Sequence, residues 1–250
     1  MKTKKNLFSM LLTIVVTLPL LACKNPAKSA SFTIKAGALV EVMYIDASSQ
    51  VTNKVEGLLP AFSKNVSSIG GEVLAKFKVS NLANTKRKMT HIVLLQWSDI
   101  SKRTNLQGQD TFKKLLEAVG KENIQFGFFG AQQDTPVTLQ ADKIYDFTSA
   151  WFITDDPCAF PPLFQVLGGY FQKINPITKA YGISQTAFFG PHPAMPKEPN
   201  AFIPHMFGIF EWQKYEDREV FNNDPKYTAH VDVRNAVLKE MDVIFAKLML

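Results

Sequence analysis

Beyond residue 36 the chain falls into apolar runs separated by polar or glycine-marked breaks, and the length and period of each run predict its element. Leu39 to Ile45, Glu72 to Val79, His91 to Trp97 and Ile124 to Phe129 are short and rich in β-branched and aromatic residues, which predicts strands. Two helices are expected between them. One runs from about Thr52 to Ile69, entered from Ser48 and Ser49, and the other from about Gly108 to Val119, stopped by Gly120. The second half repeats the order: a strand from Ile144 to Ile153, a helix from about Pro157 to Ile174, a turn at Gly182, and strands from Ile183 to Phe189 and His205 to Trp212. Helical segments between Tyr215 and Glu240 and a last strand from Val243 to Leu248 complete it.

Local matches support a duplication. His91-Ile-Val-Leu-Leu-Gln-Trp97 and His205-Met-Phe-Gly-Ile-Phe-Glu-Trp212 both start with histidine and end in a polar residue plus tryptophan, the second being one residue longer. The order strand, helix, strand, strand, helix, strand defines a ferredoxin-like unit, whose helices cover only one face of an antiparallel sheet. The strands here are apolar on both faces, so the other face must also be buried. The expected fold class is α+β: two ferredoxin-like repeats, 36–135 and 143–250, whose antiparallel sheets pack into one intramolecular alpha/beta barrel.

At this level the chain resembles the dimeric alpha/beta barrel superfamily, which includes antibiotic-biosynthesis-type monooxygenases, haem-degrading proteins, chlorite dismutases and muconolactone isomerases. The closest residue-level likeness, to an uncharacterised branch, lies between Gly208 and Arg234, in Phe210-Glu-Trp212, Asn223-Asp-Pro-Lys-Tyr227 and Arg234. The first half has Gln96 and Trp97 but no matching Asp-Pro-x-Tyr or arginine. The resemblance implies a barrel that encloses a space; it does not fix an activity.

The N-terminus carries a separate signal. Lys2, Lys4 and Lys5 precede an apolar stretch from Leu7 to Leu18, shorter than the roughly 20 residues a membrane-spanning helix needs, so residues 1–22 read as a signal peptide. Leu20-Leu21-Ala22-Cys23 resembles the lipobox of bacterial lipoproteins, which implies cleavage before Cys23 and acylation of that cysteine. Residues 23–35 are small and polar and read as a flexible tether. Lys24 in place of aspartate favours the outer membrane, with the domain facing the periplasm; the cell surface and the outer face of the inner membrane are the alternatives.

Composition narrows the chemistry. Losing the three leader lysines lowers the formal charge from +6 to +3, and the longest basic run is Lys86-Arg87-Lys88, so nucleic-acid binding is not expected. With Cys23 lipidated, Cys158 is the one remaining thiol and no intrachain disulfide can form. The domain must stand on its core, for which 46% hydrophobic residues and 20 phenylalanines suffice. Signatures of a P-loop, dinucleotide fingerprint, serine-hydrolase elbow or zinc protease are absent, and no metal, haem or other cofactor is expected.

The candidate residues carry two readings each. His91 and His205, at comparable strand starts, could face one cavity as bases or ligands, although histidine at a strand end is more often a capping or surface residue. Trp97, Trp151 and Trp212, with Tyr44, Tyr145, Phe147, Phe152 and Phe210, could wall an aromatic pocket or simply fill a core. Tyr227, His230 and Arg234 share a helical face, so Arg234 could hold a carboxylate or enolate oxygen with His230 carrying a proton; pairing of Arg234 with Asp232 or Glu240 is the ordinary alternative. Cys158 is expected as a small buried residue. The proline-rich segment 191–204 could be a lid over the barrel mouth or a docking arm.

The function expected first is a lipid-anchored periplasmic protein that binds a small apolar or aromatic ligand in the barrel, with the membrane as its partner. One alternative is a cofactor-free monooxygenase or isomerase using His205, His230 and Arg234, with Trp97, Trp151, Trp212, His91 and Tyr227 around the ligand. The other is an envelope scaffold that docks a protein partner through the proline-rich segment.

Overall fold

The computed structural model describes residues 28–85, 87–192 and 200–250; the signal peptide and Cys23 lie outside them. Eight strands close into one antiparallel barrel. Repeat 1 supplies β2 (Leu39–Ile45), β3 (Gly71–Asn84), β4 (His91–Trp97) and β5 (Ile124–Gly130). Repeat 2 supplies β7 (Ile144–Phe152), β8 (Ser184–Pro191), β9 (Met206–Trp212) and β10 (Leu238–Met249). Around the barrel the order is β10-β3-β4-β2-β5-β8-β9-β7, so the fourth strand of each repeat pairs with the second strand of the other. This is the expected two-repeat ferredoxin-like architecture.

Alternation along each strand sends one set of side chains inward and the other toward the helices. Val40, Val42, Tyr44, Ile92, Leu94, Phe129, Tyr145, Phe147, Phe189, Phe207 and Ile209 form the inner cluster. Ring contacts knit it together, including Phe77 to Phe147 at 4.7 Å and Phe129 to Phe207 at 4.7 Å between centroids. The interior expected to hold a ligand is therefore occupied by packed aromatic side chains.

The helices lie outside. In repeat 1, α1 (Thr52–Ser68) turns Val55, Leu59, Phe62 and Val66 onto the sheet, α2 (Ile100–Thr104) follows β4, and α3 (Asp110–Val119) adds Phe112, Leu115 and Val119. In repeat 2, α4 (Phe160–Ala180) buries Leu167, Tyr170 and Ile174, and is followed by α5 (Asp217–Asn222) and α6 (Pro225–Asn235). The Asp224 side chain caps α6 by accepting from the Lys226 N–H, with Pro225 at the first helical position.

Two features depart from expectation. Within the stretch read as a tether, Ser29–Ile34 forms β1, which pairs with β6 (Thr135–Gln140); Ile34, Val137 and Leu139 join the inner cluster and cover one end of the barrel. Apolar Phe32 and Ile34 in an otherwise polar segment are the physical reason. Second, Cys158 is exposed in a 3-10 turn before α4 rather than buried. Residues 193–199 of the proline-rich segment lie outside the described residues. Its return, Asn200–Phe202, runs along β5 through an Ala201 to Phe126 bridge, and Phe202 packs on Tyr44 at the other barrel end.

Candidate functional site

Strand register makes the two repeats comparable residue by residue. Glu41 on β2 lies opposite Leu95 of β4 and Phe128 of β5; Asp146 on β7 lies opposite Phe210 of β9 and Phe245 of β10. Leu39 faces Trp97 as Ile144 faces Trp212, and an arginine follows each tryptophan by six residues, Arg103 and Arg218. Acid, tryptophan, arginine and phenylalanine thus recur at matching places: Glu41, Trp97, Arg103 and Phe128 in repeat 1, and Asp146, Trp212, Arg218 and Phe245 in repeat 2.

In repeat 1 this set is closed. Trp97 Nε1 donates to Glu41 Oε2 at 2.7 Å, and Arg103 Nε donates to Glu41 Oε1 and Oε2 at 2.9 and 2.8 Å, with all three side chains fully buried. The Arg103 guanidinium lies 5.5 Å from the Phe128 ring.

In repeat 2 the set borders a cavity of about 790 Å³ between the sheet and helices α4, α5 and α6. The cavity follows from side-chain size. At matched helix-facing positions, Met43, Ile45, Val93 and Phe126 of repeat 1 are replaced by Thr148, Ala150, Gly208 and Val243, and all four small residues line the space. Its walls are largely apolar: Leu167, Phe171, Ile174, Phe188, Met206 and Phe210. The volume is that of a pocket for a small organic molecule.

Polar groups converge at two places on these walls. Asp146, itself buried, accepts a hydrogen bond from Thr148 Oγ1 at 2.6 Å. Burial pushes its carboxyl from 3.8 up to about 7, against smaller lowering influences from Thr148, Arg218 and Trp212. The Trp212 indole leans toward this carboxyl without closing a hydrogen bond, and its Nε1 is buried with no partner among the described residues. Across the cavity, Arg234 Nη1 donates to the Tyr227 hydroxyl at 2.8 Å, and Tyr170, beside them, has its phenol pushed above the usual range by burial.

Of the residues named from sequence, Trp212, Tyr227 and Arg234 line this cavity, as does Phe210. Trp97 is sealed in repeat 1, and Trp151 lies at the barrel end by Phe202 and Arg87. Among the described residues Arg234 pairs with neither Asp232 nor Glu240; it also donates to Asn235 and lies beside Tyr170. His230 lies on α6 but is not among the lining residues.

The two histidines that could have faced one cavity have separate surroundings. Register matches His91 with Met206, because Ile45 faces His91 as Ala150 faces Met206, and His205 falls one residue before that position. His91 sits under α1, with Nδ1 2.9 Å from Thr90 Oγ1 and Nε2 3.4 Å from Glu56, and burial lowers its pKa. His205 accepts the Phe152 N–H at Nδ1, 2.9 Å, and lies against Phe160 with ring centroids 4.5 Å apart. The acids and arginines were missed because matching the repeats by histidine hides the common Trp-x5-Arg spacing.

No protein-family model matches the chain, and no curated protein sequence does. Solved structures with the same architecture do exist. An anthrone oxidase-like protein aligns at 12% identity over 88% of this chain and 95% of its own, with a TM-score of 0.52. A monooxygenase-like protein of Fusobacterium nucleatum aligns at 7% identity over 87% and 94%, TM-score 0.52. A mutant chlorite dismutase of Candidatus Nitrospira defluvii aligns at 7% over 87% and 93%, TM-score 0.51. The likeness is one of fold.

Proposed function

We propose that this chain binds a small apolar or aromatic molecule in the cavity between the repeat 2 sheet and its helices, displaying that site beside a membrane through lipid on Cys23. The observation that carries the reading is a largely apolar cavity of about 790 Å³ beside one buried carboxyl. Asp146 gives an otherwise greasy pocket a fixed polar point, which orients a ligand. Calorimetric titration with 2-naphthol tests it. One-to-one binding is expected, weakened at least tenfold by Val231→Trp, which narrows the cavity from α6. Absence of binding, or binding indifferent to that change, would sink the reading. Mass spectrometry of the mature N-terminus tests the anchor: a diacylated or triacylated Cys23 is expected, and an unmodified one refutes it.

A second reading, of the monooxygenase or isomerase type, is favoured by the carboxyl held near neutrality. As a carboxylate, Asp146 would take a proton from carbon next to a ligand carbonyl, leaving the electron pair as an enolate and itself as the neutral acid. The anthrone oxidase-like and monooxygenase-like neighbours share this fold, which permits such chemistry without specifying it. Deuterium exchange into 2-tetralone in heavy water, followed by NMR, separates catalysis from binding. Catalysis predicts exchange that Asp146→Asn abolishes. Exchange no faster than in buffer leaves binding alone.

A further inference from the structure

Repeat 1 shows what the open set in repeat 2 is built to receive. The Glu41 carboxylate fills the space between an indole N–H and a guanidinium, and both donors are spent on it. In repeat 2 the acid is aspartate, one methylene shorter. Trp212 Nε1 is near enough to hold the Asp146 pKa down slightly but completes no well-formed hydrogen bond to it, and Arg218 acts on it only through space, with no ion pair between them among the described residues. The donors are in place, the intramolecular acceptor is withdrawn, and the cavity begins where it would have been. Arg218 keeps its seat near an aromatic ring, 5.8 Å from Phe245, as Arg103 does over Phe128.

We propose that the ligand of repeat 2 carries a carboxylate or enolate oxygen, which takes the place held in repeat 1 by the Glu41 carboxylate and is received by Trp212 Nε1 and Arg218. The apolar remainder of the molecule lies along Phe171, Phe188 and Phe210. This assignment rests on the cavity being the binding site and adds the class of molecule that fills it. It follows from the cost of burying donors: an indole N–H in an apolar wall loses its hydration and regains it only from an acceptor that enters with the ligand. A guanidinium beside it selects an anionic acceptor over a neutral one. Asp146, in its neutral form, adds a hydroxyl donor to the same oxygen; in its ionised form it would repel it. Binding of the anion therefore draws a proton onto Asp146.

The test compares three ligands of one ring size on the full chain: 2-naphthoate, 2-naphthol and naphthalene. Naphthoate is expected to bind at least tenfold more tightly than naphthalene, and Arg218→Met is expected to remove that advantage while leaving naphthalene affinity within twofold. Asp146→Glu should rebuild the closed arrangement of repeat 1, weakening naphthoate at least tenfold and raising Tm. A readout independent of affinity is the indole N–H resonance of Trp212, assigned by its loss in Trp212→Phe. On adding naphthoate it should move downfield toward the position of the hydrogen-bonded Trp97 resonance, and in Asp146→Glu it should lie there without ligand. If all three ligands bind alike, or the Trp212 resonance stays in place at saturation with naphthoate, the assignment is overturned while the cavity reading stands. If none binds, both fall.

Discussion

A single methylene separates the fates of two buried acids. Glu41 reaches its tryptophan and arginine and becomes an internal ion pair; Asp146 stops short and is left beside a cavity. The consequence for stability has a definite sign. Burial holds the Asp146 carboxyl at about 7 in the folded chain against an ordinary 3.8, so between these values the folded state keeps a proton the unfolded state has released. Stability from this group is full below about pH 4 and is lost as pH rises through 7, by on the order of a few kcal/mol. Asp146→Asn cannot ionise, so its Tm should gain on the wild type across that window. Parallel pH profiles in thermal melts would contradict this. At Glu41 the risk is reversed, because both charges are sealed. Arg103→Met strands a buried carboxylate and is expected to cost about 3–5 kcal/mol in urea unfolding, much of it recovered in the double variant with Glu41→Gln. A loss below about 1 kcal/mol would show the pair to be dispensable.

At the scale of elements, most of the architecture was legible in the sequence because strands buried on both faces leave long apolar runs and helices leave spaced stripes. The helix expected over Thr52 to Ile69 is α1, and the strand from His91 to Trp97 is β4. Long strands were read short where their ends turn polar: β3 continues to Asn84 because it pairs with β10 across the barrel seam, and β10 starts at Leu238 because that end pairs with β7. The cavity was not legible at all. It arises from four small residues on three strands, and only register shows that these face one helix-covered surface.

The two seams differ, and the weaker one makes a prediction. β10 pairs with β3 from Val243 to Met249, whereas among the described residues β5 meets β8 only at Phe129 to Pro191 and Gly130 to Gly190. Asn200–Phe202 supports β5 beyond that short contact, with the Phe202 N–H donating to Phe126 O at 2.9 Å and Arg87 4.0 Å over the Phe202 ring. Phe202→Ala should therefore speed amide exchange at Phe126 by at least tenfold while leaving Val42 and Val93 within twofold. Uniform acceleration across all three amides would instead mean global destabilisation.

For the whole molecule, closing two sheets into one barrel solves a problem of surface area without disulfides. The interior is packed with rings, one end is covered by β1 and β6, and the other carries Phe202. A molecule stabilised in this way can leave one helix-covered face imperfectly filled, and repeat 2 is where it does so. Duplication supplies the means: repeat 1 keeps large side chains and a buried ion pair, which leaves repeat 2 free to hold small residues and an unmet donor. A crystal structure of the chain soaked with 2-naphthoate tests this most directly. Ligand density between α4, α6 and the repeat 2 sheet, with the carboxylate within hydrogen-bonding distance of Trp212 Nε1, is the result predicted. Density inside the barrel, or at the Arg87 end of it with the repeat 2 cavity unchanged, would contradict it.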